Sequence, residues 1–215
     1  MILNESVAQK MAGLLLQINA VRLNLNEPFT WSSGWKSPIY CDNRLSLSFP
    51  EIRTFIKEEI SNIINLKFPD TELIAGVATA GIAHGALVAD YLETPFCYVR
   101  SSSKGHGLGN SIEGLVVPGQ KAIVVEDLIS TGGSGISVID SLRGAGCEVT
   151  GLIAIFTYGF PEAEKKLLSK QVLFYTLTDY DTLLNEALSQ GVISGDQLSG
   201  LQQWRMAPST WEGLR

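Results

Sequence analysis

Histidine occurs only twice and cysteine three times in 215 residues, and neither falls into the close spacings that hold a structural metal. Cys41, Cys97 and Cys147 are odd in number and far apart, which argues against a disulfide framework. Reduced thiols in a cytoplasmic protein are the expectation. Low-complexity tracts and internal repeats are missing, which sets aside linkers and solenoids. Met1 to Val21 lacks a basic leader; Val7, Met11, Leu14, Leu15 and Ile18 are spaced as one packing face of a helix. The apolar stretch Leu73 to Ala89 is about 17 residues, short for a membrane span, and Gly, Thr and His interrupt it. A surplus of positive charge is absent too. The net charge of -6 and a pI near 5.0 argue against general nucleic-acid binding. With 45% hydrophobic and 18% charged residues, the chain is expected to form one domain over residues 1 to 215 without crosslinks.

Lysine is missing from the whole interval between Lys121 and Lys165, which contains the most informative segment. Ile123 to Ser134 reads Ile-Val-Val-Glu-Asp-Leu-Ile-Ser-Thr-Gly-Gly-Ser. The β-branched run Ala122 to Val125 suits a strand buried on both faces of a parallel sheet, placing Glu126 and Asp127 at its carboxyl end. Ligands of open α/β sheets bind outside that edge, where two acceptor-only side chains suit vicinal sugar hydroxyls. Ser130, Thr131, Gly132, Gly133 and Ser134 can aim amides and hydroxyls at one phosphate, aided by a helix beginning near Gly135. A Walker loop would need a lysine here, and a dinucleotide fingerprint would need glycine where Val138 stands.

Three segments together resemble the orotate branch of the type I phosphoribosyltransferases. Val124 to Ser134 is similar to the family's phosphoribosyl-pyrophosphate signature, and Phe29 to Arg44 to its N-terminal segment. The third is Arg100-Ser-Ser-Ser-Lys104-Gly-His106-Gly-Leu-Gly-Asn110, with three potential cations and no acid between Glu93 and Glu113. The resemblance implies Mg²⁺-dependent transfer of a phosphoribosyl group from phosphoribosyl pyrophosphate to orotate, with the metal held mainly by substrate and water. It implies Lys104, His106 and Asp127 as the catalytic set. The donor would contact Arg100, Lys104, His106 and the run Glu126, Asp127, Leu128, Ile129, Ser130, Thr131, Gly132, Gly133, Ser134. It further implies a homodimer in which the Arg100 to Asn110 loop closes over the partner's site as a lid. The chain departs from some relatives at Ser101 and Ala80, where those carry basic residues.

Orotate needs a carboxylate partner and a platform for its ring. Arg44, Lys36 and Tyr40 are the candidates, joined by Ser130 at the base edge. Packing beneath an N-terminal hood, residues 1 to 45, is the competing role for Trp31, Trp35 and Tyr40. The turn Ala78 to Gly81 is expected to offer amides to pyrophosphate, and His84 to be a buried structural group. A purine or uracil phosphoribosyltransferase is the nearest rival. A regulator that keeps the fold is the second, although no basic DNA-binding segment is visible.

The remaining pattern is α/β, an open, mainly parallel twisted sheet with helices on both faces. Strands are expected at Leu73 to Val77, Phe96 to Arg100, Ala122 to Glu126, Val149 to Phe156 and Val172 to Thr176. Helices are expected at Pro50 to Leu66, Gly135 to Arg143 (ended by Gly144), Pro161 to Ser169, Thr182 to Ser189 and Gly195 to Trp204. Trp204 and Trp211 are read as packing anchors.

Overall fold

The chain opens with helix α1 (Glu5–Gln17), whose first turn is capped by Asn4: its Oδ1 accepts the N–H groups of Ser6 and Val7. These are facts of a computed structural model that describes residues 1–31, 33–100, 111–211 and 213. Two small antiparallel pairs follow, β1 (Val21–Leu23) with β4 (Ile39–Cys41) and β2 (Phe29–Thr30) with β3 (Lys36–Ser37). They give the hood an order that its sequence did not announce. A 3-10 turn (Asn43–Ser48) leads into α2 (Pro50–Lys67), which begins on a proline where the missing N–H costs nothing.

The sheet is then built by alternation: β5 (Leu73–Val77), α3 (Gly81–Tyr91), β6 (Phe96–Val99), β7 (Ile112–Glu113), β8 (Lys121–Ile129), α4 (Gly133–Gly144), β9 (Glu148–Thr157), α5 (Pro161–Ser169) and β10 (Leu173–Asp179). Helices α6 (Tyr180–Ser189) and α7 (Gly195–Met206) finish the chain. Strand order is β10-β9-β8-β5-β6-β7, parallel except for β7 on the edge. Alternate residues of β8 feed two cores. Ile123 and Val125 join Met11, Ile56, Ile60, Val88 and Trp204 on one face; Val124 joins Ile139, Leu142, Leu152 and Leu167 on the other. Helix α1 is part of the first core through Met11 and Leu15. None of the described helices is long and apolar enough to cross a membrane.

Chain order reverses between β5 and β8. From β5 the chain moves one way to β6, and from β8 it moves the other way to β9 and β10. That is the switch point at which a crevice opens beyond the carboxyl ends of the strands. It sets the turn before α3 beside the segment after Val125. The approach is close: a Cβ on Gly81 would lie 2.5 Å from the Val125 carbonyl oxygen, so no other residue fits there without moving α3 off the sheet.

Several boundaries differ from the sequence reading, three of them around the acidic pair and the helix that follows it. β8 does not stop at the acids but runs on to Ile129, because β9 continues beside it with Leu128 opposite Phe156 and Ile129 opposite Thr157. Helix α4 starts at Gly133, two residues early, since Gly132 turns the chain at φ +78°. The left-handed turn after α4 falls on Gly146, at φ +91°, with Gly144 still helical.

Candidate active site

Glu126 and Asp127 lie within β8, and the structure sends them to different surroundings. Glu126 is buried, 5% exposed, and its Oε2 has no hydrogen-bond partner. It faces the first turn of α4, where a Cβ on Gly135 would sit 2.9 Å from that oxygen. Burial, and after it the neighbouring Asp127 charge, push its carboxyl up to about 8. Asp127 is half-buried on the hood side, among Asp42, Arg44 and Cys41. Burial raises its carboxyl as well, and Arg44 counteracts part of that shift. An orphaned buried carboxylate oxygen is costly in an apolar setting. Hydroxyl donors arriving at this edge would relieve that cost.

Beyond Ile129, Ser130 to Gly132 form the turn and α4 presents its first amides, which a helix leaves without internal partners. The positive end of the helix is therefore directed at the mouth of the crevice, as an anion requires. Ala78 to Gly81, on the far side, form the second turn, with a cis peptide between Ala78 and Thr79. Next to the Ser130 turn lies a cavity of about 680 Å³, walled by Thr30, Trp31, Trp35, Tyr40, Ser130 and Tyr158. Its flat aromatic walls suit a planar ring, and its volume leaves room for more than the ring alone.

Residues 44 to 180 match the phosphoribosyl transferase domain family. Over 207 residues the chain is 54% identical to orotate phosphoribosyltransferase of Bacillus subtilis, spanning 96% of both chains. The chain belongs to the orotate phosphoribosyltransferase family. It is also 51% identical to the enzyme of that name from Porphyromonas gingivalis, over 96% of this chain and 99% of the relative. The crystal structure of orotate phosphoribosyltransferase from Aeropyrum pernix superposes with a TM-score of 0.75 at 27% identity, covering 86% of this chain and 99% of that one.

Against this family frame, the expected site residues divide. Ser130, Thr131, Leu128 and Tyr40 line the aromatic-walled cavity. Lys36 does not line it but donates from Nζ at 2.8 Å to Oγ1 of Thr30, which does. Arg44 does not line it: it is exposed, and the half-buried Asp42 takes its Nε at 2.6 Å and its Nη2 at 2.8 Å. Arg100, at the end of β6, pairs with Glu113 of β7 at 2.8 Å, leaving a buried Nε without a partner. Lys104 and His106 lie outside the described residues, as does Ser101.

His84 is buried as expected, and desolvation depresses its pKa to about 4, keeping the ring neutral. Its contacts are sparse. Nδ1 has no partner and Nε2 stands 3.5 Å from the Ser46 hydroxyl. Trp31 and Trp35 wall the cavity and pack against the first core, Trp31 meeting Trp204 edge-on at 5.7 Å. Trp204 is fully buried and donates from Nε1 to the Lys36 carbonyl, while Trp211 packs against the same core. All three cysteines are free. Sequence reasoning missed Tyr158, Lys166 and Asn43. Tyr158 had a faint signal, an aromatic directly after a buried strand; Lys166 reaches the Thr131 carbonyl from α5 at 3.4 Å, which no local pattern announces.

Proposed function

We propose that the chain transfers the 5-phosphoribosyl group of phosphoribosyl pyrophosphate to N1 of orotate. The reaction inverts C1 and yields orotidine 5′-phosphate and pyrophosphate in de novo pyrimidine (UMP) biosynthesis. The observation carrying this reading is the meeting, at one switch point, of a desolvated acidic pair, a helix N-terminus and an aromatic slot, in a chain of this family. Glu126 and Asp127 accept hydrogen bonds from the ribose hydroxyls. Ser130 to Ser134 hold the 5-phosphate through amides and hydroxyls, and the Ala78 to Gly81 turn meets the pyrophosphate. The slot between Trp31, Tyr40 and Tyr158 holds the base flat against the reacting carbon, which lowers the entropic part of the barrier. Arg100, Lys104 and His106 donate to the leaving group as its charge grows.

The donor set suits a hard cation that arrives with the substrate, since the buried, unpartnered Glu126 Oε2 is placed to accept from a hydroxyl of the sugar that carries it. Mg²⁺, when bound, would neutralise the departing pyrophosphate. It would be held mainly by substrate oxygens and water, with Glu126 and Asp127 orienting the hydroxyls. We place the enzyme in the cytoplasm as a homodimer, with phosphoribosyl pyrophosphate and orotate as its partners.

Pyrophosphate release with orotate, uracil, hypoxanthine and adenine in parallel, each with the donor and Mg²⁺, tests the reading. Orotate alone should support turnover; a purine that turns over while orotate does not would transfer the assignment to the purine enzymes. We assign the orotate carboxylate to Lys36, whose Nζ lies beside Thr30 of the cavity wall, in preference to Arg44, whose guanidinium is engaged by Asp42. Lys36→Met should raise the KM for orotate roughly tenfold, the worth of one charge-assisted hydrogen bond. Arg44→Ala should leave it within about twofold. The reverse pattern in steady-state kinetics would return the role to Arg44.

A further inference from the structure

The acidic pair is anchored by a residue that plays no part in the chemistry above. The ladder between β5 and β8 ends where Gly76 faces Val125, and the Asp127 carbonyl lies beyond it. Asn43, 0% exposed, meets that carbonyl from the 3-10 turn, its Nδ2 donating at 2.7 Å. A buried amide must be matched at both ends. Asn43 Oδ1 accepts from the Cys41 thiol at 3.3 Å, and the Asn43 carbonyl accepts from the Ser46 hydroxyl at 2.6 Å. Ser46, also fully buried, sits 3.5 Å from Nε2 of His84. His84 belongs to α3, the helix whose Gly81 presses on Val125. One buried polar path thus joins the hood, the helix behind the pyrophosphate turn and the peptide of the ribose-side acid.

We propose that Asn43, seated by Ser46, is a positioning residue that fixes the Asp127 peptide and through it the aim of the carboxylate at the ribose. This rests on Asp127 holding the ribose, as proposed above. Past Val125, β8 has β9 on one side and no β5 partner on the other, so the Asn43 amide replaces the missing ladder bond. Groups that orient a functional side chain commonly matter by about 10- to 100-fold when removed.

The experiment uses the full chain with both substrates and Mg²⁺. Asn43→Ala, and Asn43→Asp, which sets an acceptor against the carbonyl, should each lower kcat by about 10- to 100-fold. The KM for orotate should stay within about twofold, because the base slot is walled by other residues. The deciding measurement is the same substitution in an Asp127→Asn background, where a residue acting through Asp127 should cost less than about twofold more. An equal penalty in both backgrounds overturns the proposal and leaves the ribose role of Asp127 intact. If Asp127→Asn alone leaves kcat unchanged, the ribose reading falls and the proposal with it. Should the Asn43 variants fail to show a cooperative melt, Ser46→Ala keeps the amide and loosens its seat. It should give a smaller loss in kcat that likewise vanishes beside Asp127→Asn; a loss that persists there counts against the proposal.

Discussion

Co-expressed Lys104→Ala and Asp127→Asn subunits should recover about a quarter of wild-type activity, although each variant by itself should be reduced by about 10²- to 10³-fold, the usual cost of losing one charge-stabilising group. The fraction is what the proposed two-fold dimer would give if residues 100 to 110 of each subunit serve the partner's site. In a mixed dimer, the subunit bearing Lys104→Ala keeps its own Asp127 and receives an intact lid from its partner, so that site is whole. The other site lacks both groups. Random pairing makes about half of all dimers mixed, and half of their sites work. A lid acting on its own subunit predicts no recovery at all, because every site then lacks one group. Activity of the co-expressed pair, normalised to the mixed fraction from a tag-based purification, separates the two outcomes.

Much of the sheet was legible because its strands carry apolar residues on both faces. The run Leu152 to Phe156 is buried throughout, and Pro161–Ser169 forms the expected helix with proline in its first turn. The continuation of β8 was not legible. Two adjacent acids read as the end of a buried strand, whereas here β9 holds the backbone in place and burial keeps the Glu126 carboxyl protonated to about 8. The phosphate turn was readable, since its residue types act through their own backbone. Asn43 was not, because its partner lies 84 residues away. The engagement of Arg44 was not legible either: a guanidinium is the natural match for a substrate carboxylate, but Asp42, two residues before it, supplies one within the chain.

Glu126→Gln should make the protein more stable and far less active, and the stability gain should grow with pH. The carboxyl moves from an ordinary value of 4.5 to about 8 in the folded chain. Between those values the folded state keeps a proton that the unfolded chain has released, so folding weakens steadily as pH rises across that window. Below it both states are protonated and the group contributes nothing; above it the cost is complete and constant. Glutamine carries no charge to desolvate. The difference in Tm between variant and wild type should therefore be small near pH 5, rise through pH 8 and level off above it. At about 1.4 kcal/mol per pH unit, moderated by relaxation around the charge, the plateau is on the order of a few kcal/mol, or several degrees in Tm. Asp127 titrates upward in both proteins and largely cancels from the difference. A difference that does not change with pH would show that Glu126 is not held protonated by its surroundings. Turnover should fall by about 10²-fold or more, since the amide is a weaker acceptor for the ribose hydroxyl than the carboxylate that substrate binding generates. The cost of burying an acid without a partner in the empty site is thus recovered when the sugar arrives, and a chain selected for stability alone would have lost Glu126.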